Sequence, residues 1–228
     1  MGNIITNLIP LSTKKYIASK YFDRLLHKNL EKLVRESKSG KINNDTISNV
    51  IKGWSNRGWS TDMRYISAII KRINGKSIEI LECGSGISSI IMGIVSPNST
   101  IFSLEHIPVW GDKIRGILNR YNVKNVNIVQ SQIVEYNNFC WYDISSLPDA
   151  TKFQLVVCDG PPSDTPGGRF GLLPVMKDAF EDGTVILLDD TVREEEREVM
   201  RRWKKEFDCV THTELSDLYG IISIGNIE

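Results

Sequence analysis

Several features that define whole classes of protein are missing from this sequence. The chain of 228 residues has no apolar run near the roughly 20 residues that span a bilayer, and no secretory signal is visible. Its 4 cysteines are widely spaced, which argues against a disulfide framework or a zinc site. It has no internal repeat and no low-complexity tract. We therefore expect a globular, cytoplasmic protein with reduced thiols.

The net charge of the whole chain is zero, but the charges are distributed unevenly along the sequence. The 28 basic residues balance the 28 acidic ones, yet residues 1–41 carry a balance of +6 and the remainder carries −6. Apolar residues at three-to-four spacing predict an amphipathic helix over 12–37, whose polar face is basic. This face is either solvated and packed on the domain or on a second copy, or it contacts an anionic surface, polymer or substrate. A homodimer and a peripheral surface contact are both left open.

The chain is organised as a basic helical arm over residues 1–54 and a larger domain over 55–228. A second helix at 46–54 belongs to the arm, and a third ends at Asn74–Gly75. Short β-rich runs follow, separated by helix-like segments. The predicted strands are 77–81, 100–104, 126–130, 153–157, 184–188, 208–213 and 219–224. The helix-like segments are 87–95, 109–121, 133–147, which is poorly patterned, and 171–181.

The pattern of these strands predicts an α/β fold. Apolar strands that alternate with helices indicate a parallel sheet covered on both faces. The last two strands are joined by a turn too short for a crossover helix, so we expect them to pair antiparallel.

A glycine loop follows the first strand of this sheet. Gly84 and Gly86 allow a tight turn and a close approach of backbone to ligand, and Ser88 opens the next helix. The third glycine of the dinucleotide-binding pattern is replaced by Ser89, and Glu82 precedes the loop. A carboxylate there disfavours a pyrophosphate and suits a cationic ligand, such as the sulfonium amino acid of S-adenosylmethionine (SAM).

The ends of the next two strands carry further candidate cofactor ligands. Glu105 ends the second strand, where a carboxylate can accept hydrogen bonds from both ribose hydroxyls. His106 follows it, either at the cofactor or as a partly exposed loop residue. The third strand leads into Ser131, Gln132 and Ile133, which can hold the edge and face of an adenine.

Together, the E-x-G-x-G loop, the acid ending the second strand and the closing hairpin resemble the class I SAM-dependent methyltransferases over about residues 55–226. The resemblance implies a Rossmann-like, doubly wound, seven-stranded sheet, mostly parallel with a C-terminal antiparallel hairpin. It also implies that SAM lies against Glu82, Gly84, Gly86 and Glu105. In this superfamily, N-terminal additions usually cover the substrate or build a dimer.

Three carboxylates are predicted on the acceptor side of the site. Asp159 ends the fourth strand, and Asp189 and Asp190 end the fifth. Asp159 and Asp189 are candidates for a catalytic base, and the three together suit Mg²⁺ or Ca²⁺. Asp190 has an alternative role as the cap of the following helix. Arg169, in the loop between these strands, is predicted to bind an acidic acceptor.

These acids resemble those of metal-dependent O-methyltransferases of the catechol type. The lysine that such enzymes carry shortly after the first acid is missing here, which puts a lysine base in doubt. The "DGPP" sequence that begins at Asp159 is closer to the D-G-P loop of polysaccharide-modifying methyltransferases.

The sequence therefore predicts a SAM-dependent methyltransferase that acts on a hydroxyl of a sugar, a glycan or a small polar molecule. One alternative is a NAD-dependent oxidoreductase, against which Glu82, Ser89 and the terminal hairpin argue. Another is a non-catalytic scaffold of the same fold, against which the intact glycine loop and Glu105 argue. Methylation of nucleic acid is disfavoured because the domain is acidic and no N-P-P-Y-type loop follows the fourth strand.

Overall fold

The computed structural model describes residues 10–54 and 61–225 of the chain. The chain divides into two compact units, Met1–Met63 and Arg64–Glu228. The domain boundary expected after residue 54 lies beside residues 55–60, which are outside the described part. Within the described residues, no helix combines the length and the apolar character that crossing a membrane would require.

The first unit is built around two helices, α1 (Leu11–Ser39) and α2 (Asn44–Trp54), close to the predicted bounds. Gly40 ends α1 with a φ of 68°, in the left-handed region that glycine adopts readily. The carboxylate of Glu36 then accepts hydrogen bonds from the Asn43 N–H at 3.1 Å and the Thr46 hydroxyl at 2.9 Å. These bonds tie the end of α1 to the start of α2. The buried apolar side chains of this pair are Leu26, Leu30, Leu33, Ile47, Val50 and Trp54.

The remaining helices and strands lie along the rest of the chain. The helices are α3 (Met63–Ile73), α4 (Ile87–Val95), α5 (Pro108–Arg120), α6 (Leu172–Met176) and α7 (Glu194–Glu206). The strands are β1 (Glu79–Cys83), β2 (Thr100–Glu105), β3 (Val126–Gln130), β4 (Ile133–Tyr136), β5 (Phe139–Tyr142), β6 (Phe153–Cys158), β7 (Phe180–Leu188), β8 (Val210–Leu215) and β9 (Gly220–Ile224).

Seven of these strands form one sheet in the order β3-β2-β1-β6-β7-β9-β8. The first five in this order pair in parallel, whereas β9 pairs antiparallel with both β7 and β8. The predicted fold is therefore confirmed, including the closing hairpin. The order of the strands reverses between β1 and β6, because the chain fills one side of β1 first and then the other. In open α/β sheets this switch point is where ligands bind, outside the carboxyl ends of the strands.

The helix-like interpretation of 133–147 is wrong. This segment forms the β4–β5 hairpin, a separate two-stranded sheet with Ile133 opposite Tyr142. The segment is rich in β-branched and aromatic residues, and Asn137 in the turn has a φ of 51°, which asparagine tolerates better than most residues. Trp141 and Tyr142 of β5 are fully buried in the core of the second unit. Burial of these large side chains favours the hairpin over a helix.

Two helical glycines give a matched test of packing in this fold. A Cβ added to Gly53 of α2 would lie 2.6 Å from the backbone nitrogen of Leu26, whereas one added to Gly116 of α5 would meet nothing within 4 Å. We expect Gly53→Ala to lower the free energy of unfolding by about 1–3 kcal/mol, because backbone atoms must move. Gly116→Ala should raise it by about 0.5–1 kcal/mol. Urea unfolding followed by circular dichroism measures both, and equal effects would contradict the packing described here.

Candidate functional site

Backbone atoms from two loops meet directly at the switch point. Gly84 has a φ of 89°, and a Cβ at this position would lie 3.2 Å from the nitrogen of Gly160. The N–H groups of Asp159 and Gly160 both donate to the carbonyl of Cys83, at 3.0 and 2.7 Å. The loops after β1 and β6 are thus joined by hydrogen bonds, and no side chain separates them. Glycine at 84 is required by both its conformation and this contact.

Glu82 lies beneath the glycine loop rather than at its surface. Its carboxyl group is fully buried and accepts hydrogen bonds from the hydroxyls of Ser88, at 2.5 Å, and Ser89. Burial raises the pKa of Glu82 to about 7, and the serine hydroxyls oppose this shift. Glu82 therefore fixes the start of α4 against the end of β1, and its contact with a cofactor stays a prediction.

Glu105 is oriented towards the same loop from the end of β2. Its Oε2 accepts hydrogen bonds from the Ser85 N–H at 3.2 Å and the Ser85 hydroxyl at 2.6 Å, and its Oε1 accepts from the Ile107 N–H at 2.8 Å. The indole of Trp110 donates to the carbonyl of Ser85 at 2.9 Å, which holds the loop from the other side. A carboxylate can accept about four hydrogen bonds, so Glu105 retains capacity for a ligand.

The predicted adenine-binding residues continue this edge of the sheet. The Ser131 N–H donates to the carbonyl of Glu105 at 2.8 Å, and its hydroxyl donates to the carbonyl of Asp143 at 2.6 Å. Gln132 is exposed, and Ile133 is half-buried at the base of the hairpin. The structure thus brings Ser131 next to Glu105 and leaves the side chain of Gln132 accessible. Their contacts with adenine stay predictions.

The buried polar atoms that have no hydrogen-bond partner among the described residues include His106 Nδ1, which lies 3.5 Å from Glu105 Oε1, and the Tyr142 hydroxyl. The two rings pack edge to face with centroids 6.3 Å apart, and a Cβ at Gly160 would collide with the Tyr142 hydroxyl. Burial raises the pKa of Tyr142, with the nearby Cys83 and Glu105 acting in the same direction. Unpaired buried polar atoms are costly, so these positions fit a polar ligand. Sequence reasoning missed Tyr142, because its segment was interpreted as helix-like.

The predicted acceptor-side acids gather around Arg169, which is only 2% exposed. Its guanidinium lies 3.2 Å from Asp159 Oδ1, 3.0 Å from Asp190 Oδ2 and 3.6 Å from Glu196 Oε1. It also donates to the carbonyls of Asp189 at 2.6 Å and Asp159 at 2.7 Å. Arg169 thus compensates the negative charge that the sequence concentrates at the ends of β6 and β7. The guanidinium is held by groups of its own chain. The role of Arg169 in binding an acidic substrate stays a prediction.

A metal ion at Asp159, Asp189 and Asp190 is not supported. The described residues contain no group of three or more histidine, cysteine, aspartate or glutamate side chains that could hold one. Arg169 lies among the acids that were expected to be ligands, and its guanidinium supplies the positive charge there. These residues therefore do not fit a divalent cation.

The interpretation of Asp190 as a helix cap is wrong. The N-cap of α7 is Arg193, which makes no side-chain cap bond. Asp190 lies three residues earlier, with a φ of 59°, and its carboxylate pairs with Arg193 at 3.1 Å as well as with Arg169. A non-glycine residue in the left-handed region is strained, and these two ion pairs help to hold it there.

Two of the acids near Arg169, Asp159 and Asp189, have raised pKa values. Asp189 is 7% exposed; burial raises its pKa to about 7, and the charge of Asp159 adds to this shift. Although 42% of the Asp159 side chain is exposed, the protein atoms around it limit hydration and raise its pKa to about 6, against the attraction of Arg169. Two carboxyls that titrate near neutral pH at a ligand-binding edge are candidates for proton transfer.

Comparison with known proteins identifies the fold. No protein-family model matches the chain, and no curated protein matches it in sequence. Among solved structures, it is similar to a proposed caffeoyl-CoA O-methyltransferase from Staphylococcus aureus, with a TM-score of 0.59 and 13% identity over 86% of this chain and 99% of that one. It is similar to an O-methyltransferase from Bacillus cereus in complex with SAH, with a TM-score of 0.54 and 15% identity over 92% and 97%.

A third similar structure is a precorrin-6y C5,15-methyltransferase from Geobacter metallireducens, with a TM-score of 0.53 and 15% identity over 75% of this chain and 93% of that one. The names of the three proteins all describe methyltransferases. The chain has the fold of the class I SAM-dependent methyltransferases, as its strand order also indicates. At these identities, the likeness extends to the fold alone.

The raised pKa of Asp189 predicts a definite pH dependence of stability. An acid whose pKa is higher in the folded state takes up a proton on folding, so its contribution to stability falls as pH rises between the unfolded and folded pKa values. For Asp189 this interval runs from about 4 to about 7. Relative to the unmodified protein, Asp189→Asn should therefore gain stability across this interval, by up to about 1.4 kcal/mol per pH unit. Urea unfolding at several pH values measures the difference.

Asp143→Asn is the control for this prediction. Hydrogen bonds from Ser145 lower the pKa of Asp143, so its contribution is present above its unfolded pKa and is lost in acid. The difference for Asp143→Asn should therefore be independent of pH between about 4 and 7 and should change only below about pH 4. A pH-independent difference for Asp189→Asn would contradict the position of Asp189 described here.

Proposed function

We propose that this protein is a SAM-dependent methyltransferase that acts on a hydroxyl oxygen. The observation that carries the proposal is the arrangement at the switch point, where Gly84 and Gly160 meet without side chains and Glu105 is oriented towards the loop. Such an arrangement holds the glycine loop against the end of β6 and offers the Glu105 carboxylate to the hydroxyls of a ligand at the switch point. The fold, which is shared with proteins that include an O-methyltransferase in complex with SAH, supports this assignment.

The residues that would hold the cofactor follow the ends of the first three strands. SAM, when bound, supplies an electrophilic methyl group. Glu105 would accept hydrogen bonds from the ribose hydroxyls, and Ser131, Gln132 and Ile133 would border the adenine. The backbone of Gly84 and Gly86 would approach the amino-acid portion, with Ser88 and Glu82 fixing the loop from below. His106 Nδ1 makes no hydrogen bond among the described residues, with Glu105 Oε1 3.5 Å away, and a polar group of the ligand would supply that bond.

Asp159 is the residue that we assign as the base. Arg169 contacts its Oδ1, so the second oxygen, Oδ2, can take the proton from an acceptor hydroxyl. The side chain is partly exposed at the end of β6, next to Gly160 and the switch point. Methyl transfer is an in-line displacement that depends on alignment, and a carboxylate held by a buried guanidinium is well positioned for it. Asp189, which is more buried, is the second candidate.

The charges around Asp159 narrow the class of acceptor. Arg169 and Arg193 already pair with acids of their own chain, and these carboxylates outnumber the two guanidinium groups on the acceptor side. Such a surface favours neutral or cationic acceptors over anionic ones. A sugar, a glycan or another small polar molecule that presents a hydroxyl fits this environment.

Cofactor binding gives the first test of this proposal. Glu105→Gln should weaken the binding of SAH about tenfold and Glu105→Ala about a hundredfold, because hydrogen bonds to a charged carboxylate are lost. Glu135→Gln, on exposed β4, is the matched control and should bind as the unmodified protein does. Isothermal titration calorimetry measures the affinities, and circular dichroism verifies folding. Binding of NAD in preference to SAH would favour the oxidoreductase alternative, and binding of neither would favour a scaffold.

Turnover gives the second test. With SAM and a panel of sugars, glycans and phenols as acceptors, Asp159→Asn should lower kcat by about 10²–10⁴ and leave the affinity for SAM unchanged. Because the base must be deprotonated, the rate should rise with pH through about 6. Asp164→Asn, an exposed aspartate in the same loop, is the control and should leave kcat unchanged. Formation of SAH measures the rate. Full activity of Asp159→Asn would rule it out as the base.

A further inference from the structure

The N-terminal half of α1 has no fully buried side chain, although it carries large apolar ones. The first buried residue of this helix is Leu26. Of the nine large hydrophobic side chains exposed in the described part of the chain, four lie within its first eleven residues. They are Leu11, Tyr16, Ile17 and Tyr21, exposed to 68%, 63%, 54% and 56%. Side chains of this size in water mark a surface that gains free energy by binding.

Basic residues flank part of this apolar surface. Five exposed residues, spaced three or four apart, share one face of the helix. Lys14, Ile17, Tyr21, Arg24 and Lys28, which we call the basic stripe, occupy one face of α1. Residues 11–28 contain five basic residues and one acid, so the segment is strongly cationic. The stripe has cationic residues at both ends and two large apolar side chains between them. An ordinary solvated helix face carries polar side chains throughout.

The stability of this half-helix also calls for a partner. Most side chains of this segment of about 15 residues are exposed, so it gains little from tertiary packing. An isolated helix of this length is marginal in water, because propagation hardly exceeds the cost of nucleation. Binding through the basic stripe would stabilise the helix and remove Ile17 and Tyr21 from water at the same time.

We propose that the basic stripe docks on an anionic lipid surface. A helix that lies in the membrane interface buries its apolar face at the level of the head groups, while lysine and arginine beside that face contact anionic phosphates. Ile17 and Tyr21 would enter the interface, and Lys14, Arg24 and Lys28 would flank them. Pairing of two stripes from two copies of the chain is disfavoured, because their like charges would face each other. The aliphatic side chain of Ile17 has no counterpart in the recognition of phosphodiester backbones.

Sedimentation with vesicles tests this proposal on the full chain. The protein should bind vesicles of phosphatidylcholine with 30% phosphatidylserine at about 0.1 M salt, and it should bind neutral vesicles at least tenfold more weakly. The triple variant Lys14→Glu, Arg24→Glu, Lys28→Glu should lose at least tenfold in binding to the anionic vesicles. The double variant Ile17→Ser, Tyr21→Ser should lose several-fold, which a purely electrostatic contact would not.

A second triple variant controls for overall charge. Lys71→Glu, Lys76→Glu, Lys124→Glu changes the net charge by the same amount at exposed positions of the second unit, and it should bind as the unmodified protein does. Equal losses in the two triple variants would overturn the proposal, as would the absence of binding to anionic vesicles. If light scattering shows a dimer that dissociates only in the stripe triple variant, the proposal is overturned, and the stripe binds a second copy of the chain. Tighter, stripe-dependent binding of RNA would overturn it in favour of nucleic acid.

Discussion

The ion-pair network of Arg169 is the interaction on which the carboxyl ends of β6 and β7 depend. The sequence places acids at the ends of two neighbouring parallel strands, β6 and β7, and a further one, Glu196, in the first turn of α7. Parallel strands bring their carboxyl ends to one edge, so these charges must lie close together. A single buried guanidinium with three side-chain carboxylates in reach stabilises this concentration of charge. Without this guanidinium, the buried carboxylates would be uncompensated, and their desolvation would destabilise the loops after β6 and β7.

The other side of the switch point is held by backbone rather than by charge. The carbonyl of Cys83 accepts two N–H groups from the loop after β6, and the absence of a side chain at Gly84 allows this approach. Glu82 and Glu105 then fix the glycine loop through serine hydroxyls and N–H groups on either side of it. Two kinds of interaction thus hold the site together, an ion-pair network around Asp159 and a backbone contact around Gly84. They meet at Gly160, which follows Asp159 directly.

The parts of this architecture that follow from local patterns could be predicted from the sequence. The strands have apolar runs of the right length, and Glu82, Gly84, Gly86 and Glu105 lie at the carboxyl ends of β1 and β2 or just after them. The β4–β5 hairpin could not be found by periodicity, because Trp141 and Tyr142 are buried by contacts with distant residues. Similarly, Arg169 lies in a loop whose sequence suggests exposure. Its burial depends on Asp159, Asp190 and Glu196, which only the tertiary fold brings together.

The uneven distribution of charge along the sequence gives the protein an acidic surface on the second unit and a basic surface on α1. The acidic excess of the second unit includes the carboxylates around Asp159, where any cation must compete with Arg169, which is permanently charged. Arg169 therefore supplies the positive charge that holds these acids together. The basic excess lies on α1, where lysines and an arginine surround exposed Ile17 and Tyr21. A neutral acceptor at the acidic edge and an anionic surface at the basic helix would thus be attracted to different parts of the chain, so the two proposed contacts do not compete for the same charges.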